Sequence, residues 1–280
     1  MALACAAWPF TAWFERTAPG LRILMYHRVV ESPRFDQLAV SPRRFDEQMQ
    51  MLARSRKVVS LHEGLQALRS GALREPLVAV TFDDGYLDNL EQAAPILLRH
   101  RIPATVFVTT QFCDQTALHP RYAGAPGAPQ RVHLDWQELL RLAQLPGLEI
   151  GSHTLSHPFL PRLSLEQARE EIRDSRLRIE QHLQRPVRLF CYPSGDFGIR
   201  ERELVRDAGY EAAVSVAPGC NRRGADELQL LRTEVTDRDA PRAFALKLDG
   251  AFDPVHRMLH LRRRRHFARQ ATNARTPSRP

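Results

Sequence analysis

The 280-residue chain has only four cysteines, Cys5, Cys113, Cys191 and Cys220, and no two of them form a C-x-x-C pair. Such scattered thiols build neither a cysteine zinc knuckle nor a disulfide framework, and their sparseness favours a reducing compartment. Long apolar runs are also missing. The stretch 1–14 is apolar but too short to span a bilayer, and it lacks the basic residues that open a secretory signal. A cytoplasmic location is the first expectation, with a membrane-peripheral or periplasmic one as the alternative. No finger, helix-turn-helix or stacking-platform pattern accompanies the net charge of +8, so no nucleic-acid partner is expected. The positive excess gathers at the end, in Arg262-Arg263-Arg264-Arg265, Arg269, Arg275 and Arg279, beside Leu259, Leu261 and Phe267. That pattern reads as a solvated basic helix end and tail over 256–280, able to make weak contact with anionic membrane or glycan. Nothing in the sequence specifies an oligomeric state.

What is present is a regular alternation. Strand-like runs recur at Arg22–His27, Lys57–Leu61, Leu77–Phe82, Ala104–Thr109, Leu148–Gly151, Leu189–Tyr192, Ala212–Val216 and Leu230–Val235, with helix-like segments between most of them. Helix ends are marked by Ser41-Pro42 as cap and first residue, by the capping boxes Asp135/Glu138 and Ser164/Gln167, and by Gly71 and Gly209 as stops. The span Leu165 to Leu183 predicts one long amphipathic helix with Ala168, Ile172, Leu177, Ile179 and Leu183 on its apolar face. Alternating strand and helix implies a mostly parallel sheet, and the length suits one domain over 21–255 after an apolar extension over 1–20. Periodicity alone does not separate a closed barrel from an open sheet. Between Gln111 and His133 the pattern lapses into a Gly-, Pro- and Ala-rich loop, expected to act as a lid or substrate wall.

Three of the apolar runs end in loops carrying polar groups, the way parallel α/β folds present chemistry at the carboxyl ends of strands. The first is Thr81-Phe82-Asp83-Asp84-Gly85-Tyr86, where adjacent carboxylates follow a strand and Gly85 lets the backbone turn. The second is Gly151-Ser152-His153-Thr154-Leu155-Ser156-His157, whose two histidines share a face if one helical turn follows the strand. Two imidazoles and one carboxylate form a metal set that leaves coordination positions open. The third is Leu189-Phe190-Cys191-Tyr192-Pro193-Ser194-Gly195.

In these motifs the chain resembles the polysaccharide deacetylases of carbohydrate esterase family four, through Thr81-Phe82-Asp83-Asp84-Gly85, His153-Thr154-Leu155-Ser156-His157 and Tyr192-Pro193-Ser194-Gly195. Met25-Tyr26-His27-Arg28 is similar to the opening strand of the exopolysaccharide and poly-N-acetylglucosamine deacetylase branch. The resemblance spans roughly residues 21 to 255. It implies a distorted (β/α) barrel of about seven strands, with Asp83 as general base and Asp84, His153 and His157 as ligands of a divalent ion, most often zinc. It also implies an N-acetylated glycan as substrate, acetate as product, and a backbone N–H of the Pro193-Ser194-Gly195 turn, best that of Ser194, as oxyanion donor. Tyr86, Trp136, Phe159, Tyr192 and Phe197 stand near the motif loops as candidates to stack on sugar, and Tyr192, Pro193, Tyr86 and Trp136 are the expected substrate contacts.

Two family features are absent. The arginine two residues before the motif-three proline, which orients the base, is replaced by Cys191, read as a small core residue. The late Leu-x-His motif, source of the usual general acid, has no match: after Leu230-Leu231-Arg232 comes Thr233-Glu234-Val235-Thr236-Asp237. His27, at the end of the first strand, is the candidate acid in its place. The expected function is therefore a metal-dependent N-deacetylase of glycans, with an O-acetyl esterase or a catalytically impaired glycan-binding module as alternatives. A non-haem iron oxygenase is disfavoured, because its first histidine and carboxylate lie one short step apart on an all-β scaffold.

Overall fold

The computed structural model describes residues 10, 11, 13, 17–31, 36–71, 73–115 and 131–262. Most of the expected lid loop and all the basic tail beyond Arg262 lie outside them. Ten strands are present: β1 Leu21–Tyr26, β2 Arg28–Val29, β3 Ala39–Val40, β4 Lys57–Val58, β5 Leu77–Phe82, β6 Ala104–Val108, β7 Leu148–Ser152, β8 Leu189–Cys191, β9 Ala212–Val214 and β10 Arg232–Glu234. Seven of them form one parallel path, β10-β1-β5-β6-β7-β8-β9. The two ends of that path meet where Val214 bridges Leu230 in parallel, the Ser215 N–H donates to the Leu230 carbonyl at 2.9 Å and the Leu230 N–H donates to the Ala213 carbonyl at 2.8 Å. The sheet is thus a nearly closed seven-stranded barrel in one α/β domain. The eight expected strands are all found, within one to three residues; the two-residue pair β2–β3 was too short to leave a periodic signal.

Side chains alternate across the barrel wall. Leu21, Ile23, Leu77, Ala79, Phe107, Leu189, Cys191, Val214 and Leu230 form one apolar cluster together with Leu61, Leu65 and Leu68 of the helix Leu61–Ser70. That helix packs on the strand starts closely enough that a methyl group on Gly64 would stand 2.7 Å from Leu21. A larger cluster, including Leu24, Val80, Val106, Ile150 and Phe190, joins the wall to the outer helices. With the opposite end plugged, the open end of the barrel is the one at the strands' carboxyl termini.

Helix ends follow local chemistry. Ser41 caps Pro42–Ser55, the Asp135/Glu138 and Ser164/Gln167 boxes both form, and Gly71 ends Leu61–Ser70 in the left-handed conformation at φ 66°. The long helix Leu165–Leu183 runs as expected, but its buried face is Ala168, Ile172, Ser175 and Ile179, while Leu177 is 53% exposed. Ser175 takes the inner place because its hydroxyl meets that of Ser152 at 2.7 Å, satisfying two buried polar groups together.

Candidate active site

Adjacent residues on a strand point to opposite faces, so Asp83 and Asp84 share a site only because the backbone reverses after β5. Asp84 at φ 71° and Gly85 at φ 64° are both left-handed. A methyl group on Gly85 would lie 2.8 Å from Val108, so position 85 is restricted to glycine by both space and conformation. The turn aims the two carboxylates at different partners, and both are buried.

Asp84 faces the histidines. Its Oδ1 lies 3.4 Å from His153 Nε2 and 3.5 Å from His157 Nε2. Two ligands bound at about 2.0–2.2 Å to one tetrahedral ion stand about 3.3–3.6 Å apart, so these three atoms have the spacing of a metal site. His153 Nδ1 meets the Cys191 carbonyl at 2.7 Å, which turns the lone pair of Nε2 toward Asp84. Burial alone would push the Asp84 carboxyl up, but the neighbouring His153 and His157 hold it well below the ordinary carboxylate range. Burial opposes protonation of His153, and Cys191 and Asp84 outweigh it, raising that imidazole well above its ordinary value. One carboxylate oxygen and two imidazole nitrogens are a donor set that fits a divalent ion.

The histidines reach Asp84 by a different route from the expected helical turn. Residues 153–157 form an irregular loop, with Thr154 at φ 71° and His157 at φ 60°. Thr154 Oγ1 accepts from the His157 N–H at 3.0 Å. Glu171, on the long helix, accepts from the Leu155 and Ser156 N–H groups at 2.9 and 3.0 Å and from the Ser156 hydroxyl at 2.6 Å. One carboxylate thus moors the loop carrying both ligands, and sequence reasoning missed it because a Glu on a charged helix looks solvated.

Asp83 answers the question of the missing arginine. Arg232, the first residue of β10, donates from Nη1 to Asp83 Oδ1 and from Nη2 to Oδ2, both at 2.7 Å. Its remaining N–H groups go to the Ser215 carbonyl at 2.8 Å, Thr81 Oγ1 at 3.2 Å and Cys191 Sγ at 3.2 Å. All five guanidinium protons are engaged, so a fully buried cation is compensated. Burial would raise the Asp83 carboxyl; Arg232 reverses this and holds it below its ordinary value. The signal was present in the sequence as a lone arginine within the apolar run Leu230–Val235. Cys191 packs against the guanidinium, and burial pushes its thiol up, as expected of a small core residue.

His27 Nε2 stands 3.9 Å from Asp83 Oδ2, beyond hydrogen-bond length. Its main chain is held by the Asn89 side-chain amide, which donates to the His27 carbonyl at 2.8 Å. Ser194 is left-handed at φ 56°, followed by Gly195 at φ 66°, where a methyl group would come within 2.7 Å of the Val216 nitrogen. His27, Asp83, Asp84, His153, His157, Ser194 and Arg232 all line one cavity of about 740 Å³.

The expected sugar contacts lie elsewhere. Tyr192 is fully buried, stacked on Phe197 at 4.1 Å and donating to the Leu228 carbonyl at 2.9 Å. Pro193 is buried beside it. Tyr86 is buried against the ring of His133 at 4.7 Å, and Trp136 stacks on His182 while donating to Asp114 at 2.8 Å. None of the four lines the cavity; the Tyr192 phenol and the Trp136 indole found protein partners and the Tyr86 ring stacks on His133, which favours packing over exposure. Of the five aromatic candidates, Phe159 does line it.

A profile of the polysaccharide deacetylase family matches residues 70–213, just over half of the chain. The Bacillus subtilis strain 168 protein YxkH is 25% identical over 243 residues, covering 86% of this chain and 80% of its own. Among solved structures, the Streptococcus pyogenes deacetylase PplD superposes with a TM-score of 0.71 at 24% identity, covering 82% of this chain and 99% of that one. IcaB from Ammonifex degensii gives 0.68 at 25% identity, covering 82% and 97%. With the family profile lying across the β5 turn and the histidine loop, and the same fold recurring in its solved relatives, the chain belongs to the polysaccharide deacetylase family, hydrolases of amide bonds.

Proposed function

We propose that the protein is a metal-dependent hydrolase that removes N-acetyl groups from N-acetylhexosamine units of a glycan, releasing acetate. The observation that carries this reading is the different partnering of the two carboxylates: Asp84 Oδ1 stands 3.4 and 3.5 Å from His153 and His157, while Asp83 gives both its oxygens to Arg232. A binding module needs neither a reserved base nor an open metal position. The grounds for an impaired site were the lost arginine and the lost late histidine; Arg232 supplies the first contact from another strand, and His27 is our candidate for the second role.

Asp84, His153 and His157 would hold the ion. A divalent ion there, zinc in our reading, lowers the pKa of a water and polarises a carbonyl. Asp83 takes the water's proton as its oxygen attacks the acetyl carbon. The Arg232 contact keeps Asp83 ionised at ordinary pH, at some cost in basicity, and keeps it off the metal set. The Ser194 N–H receives the charge that develops on the carbonyl oxygen, an interaction worth about 3–4 kcal/mol at a transition state. As the C–N bond breaks, the nitrogen needs a proton. His27, on the cavity wall beside Asp83, supplies it, and acetate and a free amine leave.

The test is acetate release from N-acetylglucosamine oligomers of different linkage, with O-acetylated sugars alongside and metal content measured on the same preparation. Asp83→Asn should keep its metal and lose turnover by several hundredfold or more, whereas His153→Ala should lose the metal. Full activity in Asp83→Asn sinks the assignment of the base. Turnover of O-acetyl substrates alone moves the reading to an esterase.

A further inference from the structure

The last described helix, 253–262, forms one wall of the active-site cavity, to which it contributes His256, Leu259 and His260. It is moored at its start. Arg22 of β1 donates to both carboxylate oxygens of Asp253 at 3.1 Å, and Arg257 Nε donates to the Pro218 carbonyl at 3.3 Å. The face turned away from the cavity is unlike a solvated helix face. Pro254, Met258 and Leu261 recur at i, i+4 and i+7, a spacing that sets them in one stripe. All three are exposed, Met258 by 46% and Leu261 by 54%. At 100° per residue, Arg257 borders that stripe on one side and Arg262 on the other, and both are exposed. The sequence continues with Arg263-Arg264-Arg265.

We infer that this face seats the protein on a bilayer surface carrying anionic headgroups. An apolar stripe bordered by arginines suits the boundary between acyl chains and headgroups: Met258 and Leu261 leave water while the guanidiniums meet phosphate. A soluble polyanion would engage the arginines but gives the stripe nothing. A second copy of the chain would bring arginine against arginine if the same faces met. No helix among the described residues is long and apolar enough to cross a membrane. One helix diameter, about 10 Å, separates the stripe from the cavity. Given the proposed deacetylase function, on which this last step rests, the glycan is handled at a membrane surface.

The experiment is co-sedimentation of the full chain with vesicles of phosphatidylcholine alone or with a third of phosphatidylglycerol. The expected result is binding to the anionic vesicles, weakened by salt. Loss of each arginine contact lowers partition about fivefold, so Arg257→Gln with Arg262→Gln should lower it about 25-fold. Met258→Glu with Leu261→Glu should abolish it, with Tm and acetate release from soluble oligomers unchanged. Asp83→Asn should bind like the unaltered protein, which separates this inference from the catalytic one. Absence of binding, or undiminished binding by the Met258/Leu261 variant, overturns the inference. So does a dimer in solution that the same variant dissolves while vesicles bind nothing, or equal retention by a soluble acidic polysaccharide.

Discussion

Replacing Arg232 by methionine keeps most of the aliphatic stem and removes the guanidinium, leaving Asp83 buried without its two 2.7 Å partners. Breaking a buried pair from one side costs about 3–5 kcal/mol when the remaining charge has no escape. Asp83 has one: it can take up a proton. Without Arg232 the lowering contact is gone and burial is left to push the Asp83 carboxyl up, above its ordinary range. In the unaltered protein the sign is the opposite. A depressed carboxyl stabilises the fold above its unfolded value, and that contribution is lost only as pH falls through the folded one.

The variant should therefore lose least stability in acid and progressively more as pH rises, reaching about 3–5 kcal/mol once Asp83 is ionised. Urea unfolding at a series of pH values reads this slope. The rate profile should move with it. The acidic limb of kcat/KM should move to higher pH than in the unaltered enzyme, because the base now holds its proton further up the scale. Adding Asp83→Asn to Arg232→Met removes both charges and should restore much of the stability while activity stays lost. An Arg232→Met enzyme with an unmoved limb and a pH-independent loss of stability refutes the pairing as the determinant of the base.

Other changes test other links. Glu171→Gln weakens the mooring of the histidine loop and should lower metal affinity about 10–100-fold, read by competition with a chromogenic chelator. Gly85→Ala meets both a left-handed backbone and Val108, and should cost about 1–3 kcal/mol in urea unfolding. Tyr192→Phe should cost about 0.5–1.5 kcal/mol of stability, through the lost Leu228 hydrogen bond, and leave KM unchanged. A large rise in KM would return Tyr192 to the substrate. His27→Gln should slow turnover while metal content stays at one equivalent.

The barrel was legible because each strand leaves its own apolar run and each major helix its own cap. Asp83, Asp84, His153 and His157 were legible for a related reason: their chemistry follows directly after strands. What sequence reasoning missed acts across the fold. Glu171 and Arg232 reach the site from elements 15 and 149 residues away from their partners; Glu171 carries no local signature, and the lone arginine of Leu230–Val235 does not name the carboxylate it meets. Tyr86, Tyr192 and Trp136 failed for the complementary reason. Proximity in sequence to a motif loop does not say which way a ring turns: Tyr192 and Trp136 gave their polar atoms to protein partners, and Tyr86 packed on His133.

Cys191 and Arg232 are best understood as one exchange. The family's usual arginine would stand at position 191, and Leu230-Leu231-Arg232 has the spacing of the Leu-x-His motif with arginine in the histidine's place. Arg232 Nη2 touches Cys191 Sγ at 3.2 Å, so the guanidinium on β10 occupies the room that a long side chain on β8 would fill. Only one arginine fits. Cys191→Arg alone would place a second buried guanidinium against one carboxylate, a change of several kcal/mol that should prevent folding. Arg232→His alone strips Asp83 of its partner. Together, the two substitutions return the guanidinium from the other strand and set an imidazole on β10, facing the cavity. The double variant should fold better than either single one, with a coupling of about 2–3 kcal/mol in urea unfolding. Its acidic limb should fall back below that of Arg232→His as Asp83 regains a cation. Additive losses would mean that the space between β8 and β10 is not shared and that Arg232 arose independently of Cys191.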